Sequence, residues 1–145
     1  MRAIVQRVSK ASVRVDGQVV GQCDTGLVLL VGVHKDDSVA SSKKLANRIA
    51  NLRIFNDEAG KMNLPLQDVE GSVLAISNFT VYGETAKNRR PSFVESAGFE
   101  QGQRLFEQFV ADLRELGVRV GTGVFGAHME VELVNDGPVT VIVEG

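Results

Sequence analysis

The chain has 145 residues, 43% hydrophobic and 23% charged, an ordinary balance for one domain able to bury a real core. A net charge of −2 excludes a molecule whose overall field would draw it to nucleic acid. One cysteine, Cys23, excludes an intramolecular disulfide, and no apolar run is long enough for a helix that crosses a bilayer.

The chain opens with β patterning over Ala3 to Val8 and Ala11 to Val15. An Asp16-Gly17 turn then leads into Gln18 to Cys23, the pattern of a hairpin. Charge in Met1-Arg-Ala-Ile-Val-Gln-Arg stands where a secretory leader needs an apolar stretch, so a cytoplasmic location is expected. Leu27 to Val33 reads as a buried strand. From Asp36 to Leu52 the period becomes helical, with Leu45, Ile49 and Leu52 on one face. Arg53 to Phe55 is a short strand, Asn56 to Gly60 a turn, and Ser72 to Tyr82 a longer strand rich in Val, Ile, Phe and Thr. After the loop Gly83 to Ser92, Phe106, Phe109, Val110, Leu113 and Leu116 form the stripe of a second amphipathic helix, Phe99 to Leu116, with Gly117 just past its end. Three β runs finish the chain, Val118 to Val120, Met129 to Val134 and Val139 to Val143. The expected fold is α+β, a single domain over residues 1–145, with a rolled, largely antiparallel sheet or barrel flanked by two amphipathic helices. A dimer would cover its exposed edges.

The reactive side chains are few. His34, His128 and Cys23 do not make a zinc constellation, and no nucleophile elbow, P-loop or dinucleotide fingerprint follows a strand, so no metal or cofactor is expected. His34 reads as a surface or helix-entry residue, His128 likewise, and Cys23 as a small core residue. Two polar segments interrupt apolar strands. Ser77-Asn78-Phe79-Thr80 is either an ordinary strand end or a cluster whose backbone N–H groups can bind an oxyanion. Asn135-Asp136-Gly137-Pro138-Val139-Thr140 is either an ordinary turn or a rigid turn that presents carbonyls. The basic spots, Arg2, Arg7, Lys10 and Arg14 at one end and Lys87, Arg89 and Arg90 in one loop, can grip phosphates or simply face water.

Taken in order, these segments resemble the D-aminoacyl-tRNA deacylases. Ser77-Asn78-Phe79-Thr80 is similar to that family's Ser-Gln-Phe-Thr signature, and Asn135 to Thr140 to its Asn-x-Gly-Pro-x-Thr signature. The likeness extends through Met1 to Val8, Leu52 to Asp57, Gly60 to Asn63, Arg90-Pro-Ser-Phe93 and Gly123 to Ala127 leading to Met129. Two departures stand out. Asn78 replaces the usual glutamine and is one methylene shorter, and Asn88 lies where many members have glycine.

The resemblance implies hydrolysis of the ester of D-aminoacyl-tRNA, with glycyl-tRNA a further possible substrate. It implies a homodimer with active sites at the interface, in which the Gly137-Pro138 peptide is cis and reaches into the partner's pocket. Phe79, Thr80 and Asn78 would form the catalytic group. Phe79 and Thr80 supply backbone contacts to the ester, and a positioned water, helped by the terminal ribose 2′-OH, makes the attack. Thr80 as a covalent nucleophile lacks a neighbouring general base. Ser77, Met129, Gly137 and Pro138 would bind the substrate, and Lys87, Arg89 and Arg90 the tRNA phosphates. Three other readings stay open at this level: a non-catalytic tRNA- or nucleic-acid-binding dimer, a deacylase for mischarged L-aminoacyl-tRNA, and a β-rich dimer acting on a small metabolite.

Overall fold

The computed structural model describes residues 1–145. Its strands are β1 (Arg2–Val15), β2 (Gln18–Cys23), β3 (Gly26–Gly32), β4 (Phe55–Asn56), β5 (Met62–Leu64), β6 (Ser72–Ser77), β7 (Val120–Thr122) and β8 (Glu130–Glu144). Its helices are α1 (Val39–Ala50) and α2 (Phe99–Glu115). The main sheet runs β2-β1-β3-β6-β7, with β8 along the other edge of β1, while β4 and β5 form a separate two-stranded ribbon.

The α+β fold is as expected, and the pairings refine it. β1 pairs antiparallel with β2, β3 and β8, but β3–β6 and β6–β7 are parallel. The parallel pairs follow from connectivity: α1 lies in the chain between β3 and β6, and α2 between β6 and β7, the long crossovers that parallel neighbours require. Gly21 of β2 lies so close to the Thr122 carbonyl of β7 that a Cβ would collide with it, and this approach rolls the sheet almost closed.

Two short strands shift by about two residues, Arg53 to Phe55 pairing only at Phe55–Asn56 and Val118 to Val120 becoming Val120–Thr122, and three expected boundaries move further. The two opening β runs are one strand, because β8 pairs with β1 along its whole length and absorbs the irregularity as bulges near Arg7 and Ser9. The two last runs likewise join as β8, with Asn135–Val139 a bulge within the strand rather than a turn ending it. The expected strand Ser72 to Tyr82 stops at Ser77, and Phe79–Tyr82 coil into a 3-10 turn. Both helices start and end close to expectation. α1 is opened at Ser38, whose N–H donates to the Ser41 hydroxyl at 3.1 Å, one half of a capping box. α2 is closed by Gly117 N–H on the Arg114 carbonyl and Val118 N–H on the Leu113 carbonyl, the paired bonds of a Schellman end.

Alternation along the strands divides the core in two. Ala3, Val5, Leu27, Leu29, Val31, Val73 and Ala75 face the helices and pack with Leu45, Ile49, Leu105, Phe109 and Leu113. Val8, Val13, Val28, Leu74 and Ile76 point the other way into a smaller cluster inside the rolled sheet. β3 and β6 are therefore buried on both faces, which is why Leu27 to Val33 reads as an unbroken apolar run.

Candidate active site

An open cavity of about 500 Å³ lies at the end of β6. Leu30, Ile76 and Val131 give it an apolar floor continuous with the smaller cluster, and Phe99, Phe106 and Phe125 form an aromatic side. The sequence-predicted Ser77, Asn78, Phe79 and Met129 all line it. Thr80 is exposed beside it and does not line it. A mostly apolar wall with a few polar groups at one end is the usual form of a small-molecule site.

The polar end is built by the break in β6. Asn78 is still extended and donates its N–H to the Val31 carbonyl at 2.8 Å; the chain then coils through Phe79–Tyr82. The first N–H groups of such a turn have no partner within it and remain able to meet a ligand. The Thr80 hydroxyl donates to Asn78 Oδ1 at 2.5 Å, so the two side chains tie off the turn locally. The carbonyl oxygen of Asn78, one methylene shorter than the family's glutamine, is thus engaged in bracing the turn. The contact also leaves the Thr80 hydroxyl with an amide for a neighbour, and no base beside it to activate it as a nucleophile. Phe79, exposed, meets Phe93 edge-on at 5.1 Å, and its carbonyl accepts a hydrogen bond from Ser96 Oγ at 2.8 Å.

The second segment is fastened differently. Asn135 spans the bulge, accepting from Val139 N–H at 2.7 Å and donating from Nδ2 to the Val139 carbonyl at 3.0 Å. Between them the Gly137-Pro138 peptide is cis, and Gly137 has φ +148, with a Cβ there meeting Val139. Arg7 holds the bulge from beneath. Its Nε donates to the Asp136 carbonyl at 2.8 Å, and its Nη1 to the Ile54 carbonyl at 2.8 Å and to Asn56 Oδ1 at 3.2 Å. Arg7 is buried, so it is not part of a solvated basic patch.

The two segments are not brought together within one chain. Gly137 and Pro138 do not line the cavity. Through the register, Ser77 sits opposite Val31, Val31 opposite Ala3, and Ala3 opposite Val143. Pro138 lies in the bulge between the Thr140–Gln6 and Asn135–Val8 pairs, three to five residues along β1 from that row, roughly 10–16 Å at strand rise.

Lys87, Arg89 and Arg90 are exposed in the loop after the 3-10 turn. His128 lines the cavity mouth. His34 is more than a surface residue: its Nε2 lies 3.0 Å from Glu95 Oε2, and its ring meets Tyr82 edge-on. Hydrogen bonds from Lys35 and then His34 hold the Glu95 carboxyl below the usual range. Tyr82 is pushed up to about 12 by burial and then by Asp37, so it stays protonated at neutral pH. Burial, with Asp24 adding to it, pushes the Cys23 thiol up to about 11, as a core cysteine rather than a nucleophile.

Sequence reasoning missed Arg7, Ser96 and the aromatic side of the cavity. Only Arg7 carried a usable signal, a charge on the buried parity Ala3, Val5, Arg7 of a strand.

A family model described as D-Tyr-tRNA(Tyr) deacylase matches residues 4–144. A protein of Fervidobacterium nodosum named D-aminoacyl-tRNA deacylase is 55% identical over 99% of this chain and 97% of its own length. One of the same name from Deinococcus radiodurans is 54% identical, covering 99% of each chain. Among solved structures, one titled c-Myc DNA Unwinding Element Binding Protein superposes with a TM-score of 0.94 at 34% identity, covering 100% of this chain and 99% of that one.

Proposed function

The chain belongs to the D-Tyr-tRNA(Tyr) deacylase family and hydrolyses the ester of D-aminoacyl-tRNA, and we propose that it does so in a homodimer whose sites are each built from two subunits. One observation carries the dimer. The oxyanion-binding turn and the carbonyl-presenting bulge lie apart in a single chain, so a site that uses both takes the bulge from a second copy. The outer edge of β8 supports this reading, since its 15 residues pair only with β1 and leave an edge for a neighbour to cover.

In this arrangement the apolar cavity holds the aminoacylated end of the tRNA. The backbone N–H groups of Phe79 and Thr80 face the ester carbonyl and stabilise the charge that develops on its oxygen. Water attacks the carbonyl carbon and the ribose oxygen leaves with a proton. The terminal 2′-OH is placed to help activate that water, as the family resemblance suggests. Ser77 and Met129 bound the aminoacyl group, and Asn78 braces the turn through Thr80. The partner's carbonyls at Gly137 and Pro138 face the α-carbon, so a D-residue points its side chain outward while an L-residue drives its β-carbon into main chain. Exclusion by a wall of backbone does not yield as a side chain can. Lys87, Arg89 and Arg90 grip acceptor-stem phosphates.

The deciding experiment measures deacylation of D-tyrosyl-, L-tyrosyl- and glycyl-tRNA across a dilution series followed by sedimentation. Activity confined to the dimer and to the D- or achiral substrates is expected. A monomer active at full rate would overturn the shared site.

A further inference from the structure

We propose that Ser96 is a positioning residue for deacylation, acting on the ester through the Phe79–Thr80 peptide; this rests on the reading that that peptide faces the reacting carbonyl. Ser96 Oγ donates to the Phe79 carbonyl at 2.8 Å from outside the 3-10 turn. A peptide unit is planar, and its C=O and N–H point in opposite directions. A grip on the Phe79 carbonyl therefore sets the direction of the Thr80 N–H, a group that the turn itself leaves without a partner.

The grip is useful only if Ser96 is itself held, and it is. Residues 95–97 run as a short ladder beside the end of β3, with Lys35 N–H on the Glu95 carbonyl and Ala97 N–H on the Val33 carbonyl, both 2.9 Å. Ser96 is thereby bridged to His34. Glu95 is pinned from the side by the His34 ring at 3.0 Å and by Lys35 Nζ at 3.1 Å. Three residues earlier, Phe93 braces the Phe79 ring. The strap thus touches Phe79, a residue of the cavity wall, at two points, ring and carbonyl. A serine that merely closed the loop could do so against any nearby acceptor; this one meets the carbonyl whose orientation governs the oxyanion donor.

Pre-organised donors act on the transition state more than on bound substrate, so loss of the grip lowers kcat and spares KM. In the full-length protein, Ser96→Ala is expected to lower kcat on D-tyrosyl-tRNA roughly fivefold to tenfold, with KM changed by less than about twofold. Ser96→Thr, which keeps the hydroxyl, restores most of the rate. A second readout uses a non-hydrolysable 3′-amide analogue of D-tyrosyl-adenosine. It should shift the Thr80 amide resonance in the native protein, and shift it much less in Ser96→Ala. An unchanged kcat in Ser96→Ala, or a loss of rate that Ser96→Thr does not restore, overturns the role of Ser96 alone. A Thr80 amide that does not respond to the analogue even in the native protein overturns the reading of the turn, and the role of Ser96 with it.

Discussion

The turn at Ser77–Tyr82 and the bulge at Asn135–Val139 both offer main chain rather than side chains to a substrate, yet they are made rigid in opposite ways. The turn sits near the surface and is tied by several contacts among partly exposed groups: Thr80 to Asn78, Ser96 to Phe79, Phe93 against the Phe79 ring. The bulge has Asn135 bracketing it from within, and a single buried guanidinium fixes its Asp136 carbonyl. Distributed exposed ties are individually weak and replaceable; one buried charge-assisted tie is strong and is not. The two segments should therefore fail differently under mutation.

The largest effect is expected at Arg7. Arg7→Met removes the fork that joins Asp136, Ile54 and Asn56, and leaves the buried Ile54 carbonyl unpaired. A loss of about 3–5 kcal/mol in stability is expected, read from the urea midpoint, together with loss of deacylation. Arg7→Lys should not restore it, because an ammonium on a flexible stem cannot fill three directions of a planar fork. If Arg7→Met kept native activity and stability, the bulge would not depend on its single buried tie and the contrast with the turn would collapse.

Arg7 also shows how far this molecule can be read from its residues. Core strands and both helices were legible because burial imposes period: Leu45 and Ile49 on α1, Phe109 and Leu113 on α2, and unbroken Leu27 to Val33 where both faces are covered. The polar segments were legible as segments, since Asn, Gly and Pro interrupt apolar runs. Their exact shape was not. Phe79, Thr80, Val81 and Tyr82 have strand-like side chains, yet they coil, because beyond Ser77 the ladder with β3 ends and Asn78 with Thr80 offers a local alternative. The bulge looked like a terminating turn because the bond between Asn135 and Val139 is as local as a turn's. What keeps it within β8 is the distant pairing of Thr140 with Gln6 and Asn135 with Val8. Ser96 gave no signal at all, for its meaning lies in a contact 17 residues away.

A smaller effect separates grip on tRNA from chemistry. The basic loop follows the turn directly and has no counterpart at the bulge. Replacing Lys87, Arg89 and Arg90 together by alanine should raise KM for charged tRNA by about tenfold to a hundredfold near physiological salt and flatten its salt dependence. The variant should cleave a short aminoacyl-adenosine substrate as well as the native protein does. Equal losses on both substrates would place these side chains in the chemistry rather than on the phosphates.

Smaller still is the change expected at Thr80. Its hydroxyl braces the turn through one exposed hydrogen bond, and its backbone supplies the donor. Thr80→Val should therefore lower kcat by less than about tenfold. A fall of around three orders of magnitude, about 4 kcal/mol of transition-state stabilisation, would make the hydroxyl a nucleophile and the turn a side-chain site after all.

The least effect on turnover is expected at Cys23, which lies apart from both segments and tests whether main-chain chemistry is sufficient. Its thiol is buried and raised from 9.0 to about 11, chiefly by burial. At pH 8 the folded protein should resist iodoacetamide, and Cys23→Ala should deacylate D-tyrosyl-tRNA at the native rate. The same shift has a consequence for stability. Below pH 9 the thiol is protonated in both states and its burial is fully favourable. As pH rises toward 11 the unfolded chain gives up the proton while the folded chain keeps it, so stability falls through that window. Tyr82, raised from 10.0 to about 12, contributes a fall of the same sign slightly higher. Comparing urea midpoints of native protein and Cys23→Ala between pH 8 and pH 11 isolates the thiol, since Tyr82 is common to both. The native protein should lose more of its stability over that range. Rapid alkylation of the folded protein at pH 8 with parallel loss of activity would instead put an ionised thiol within reach of the reaction, and the two backbone segments would no longer account for the catalysis.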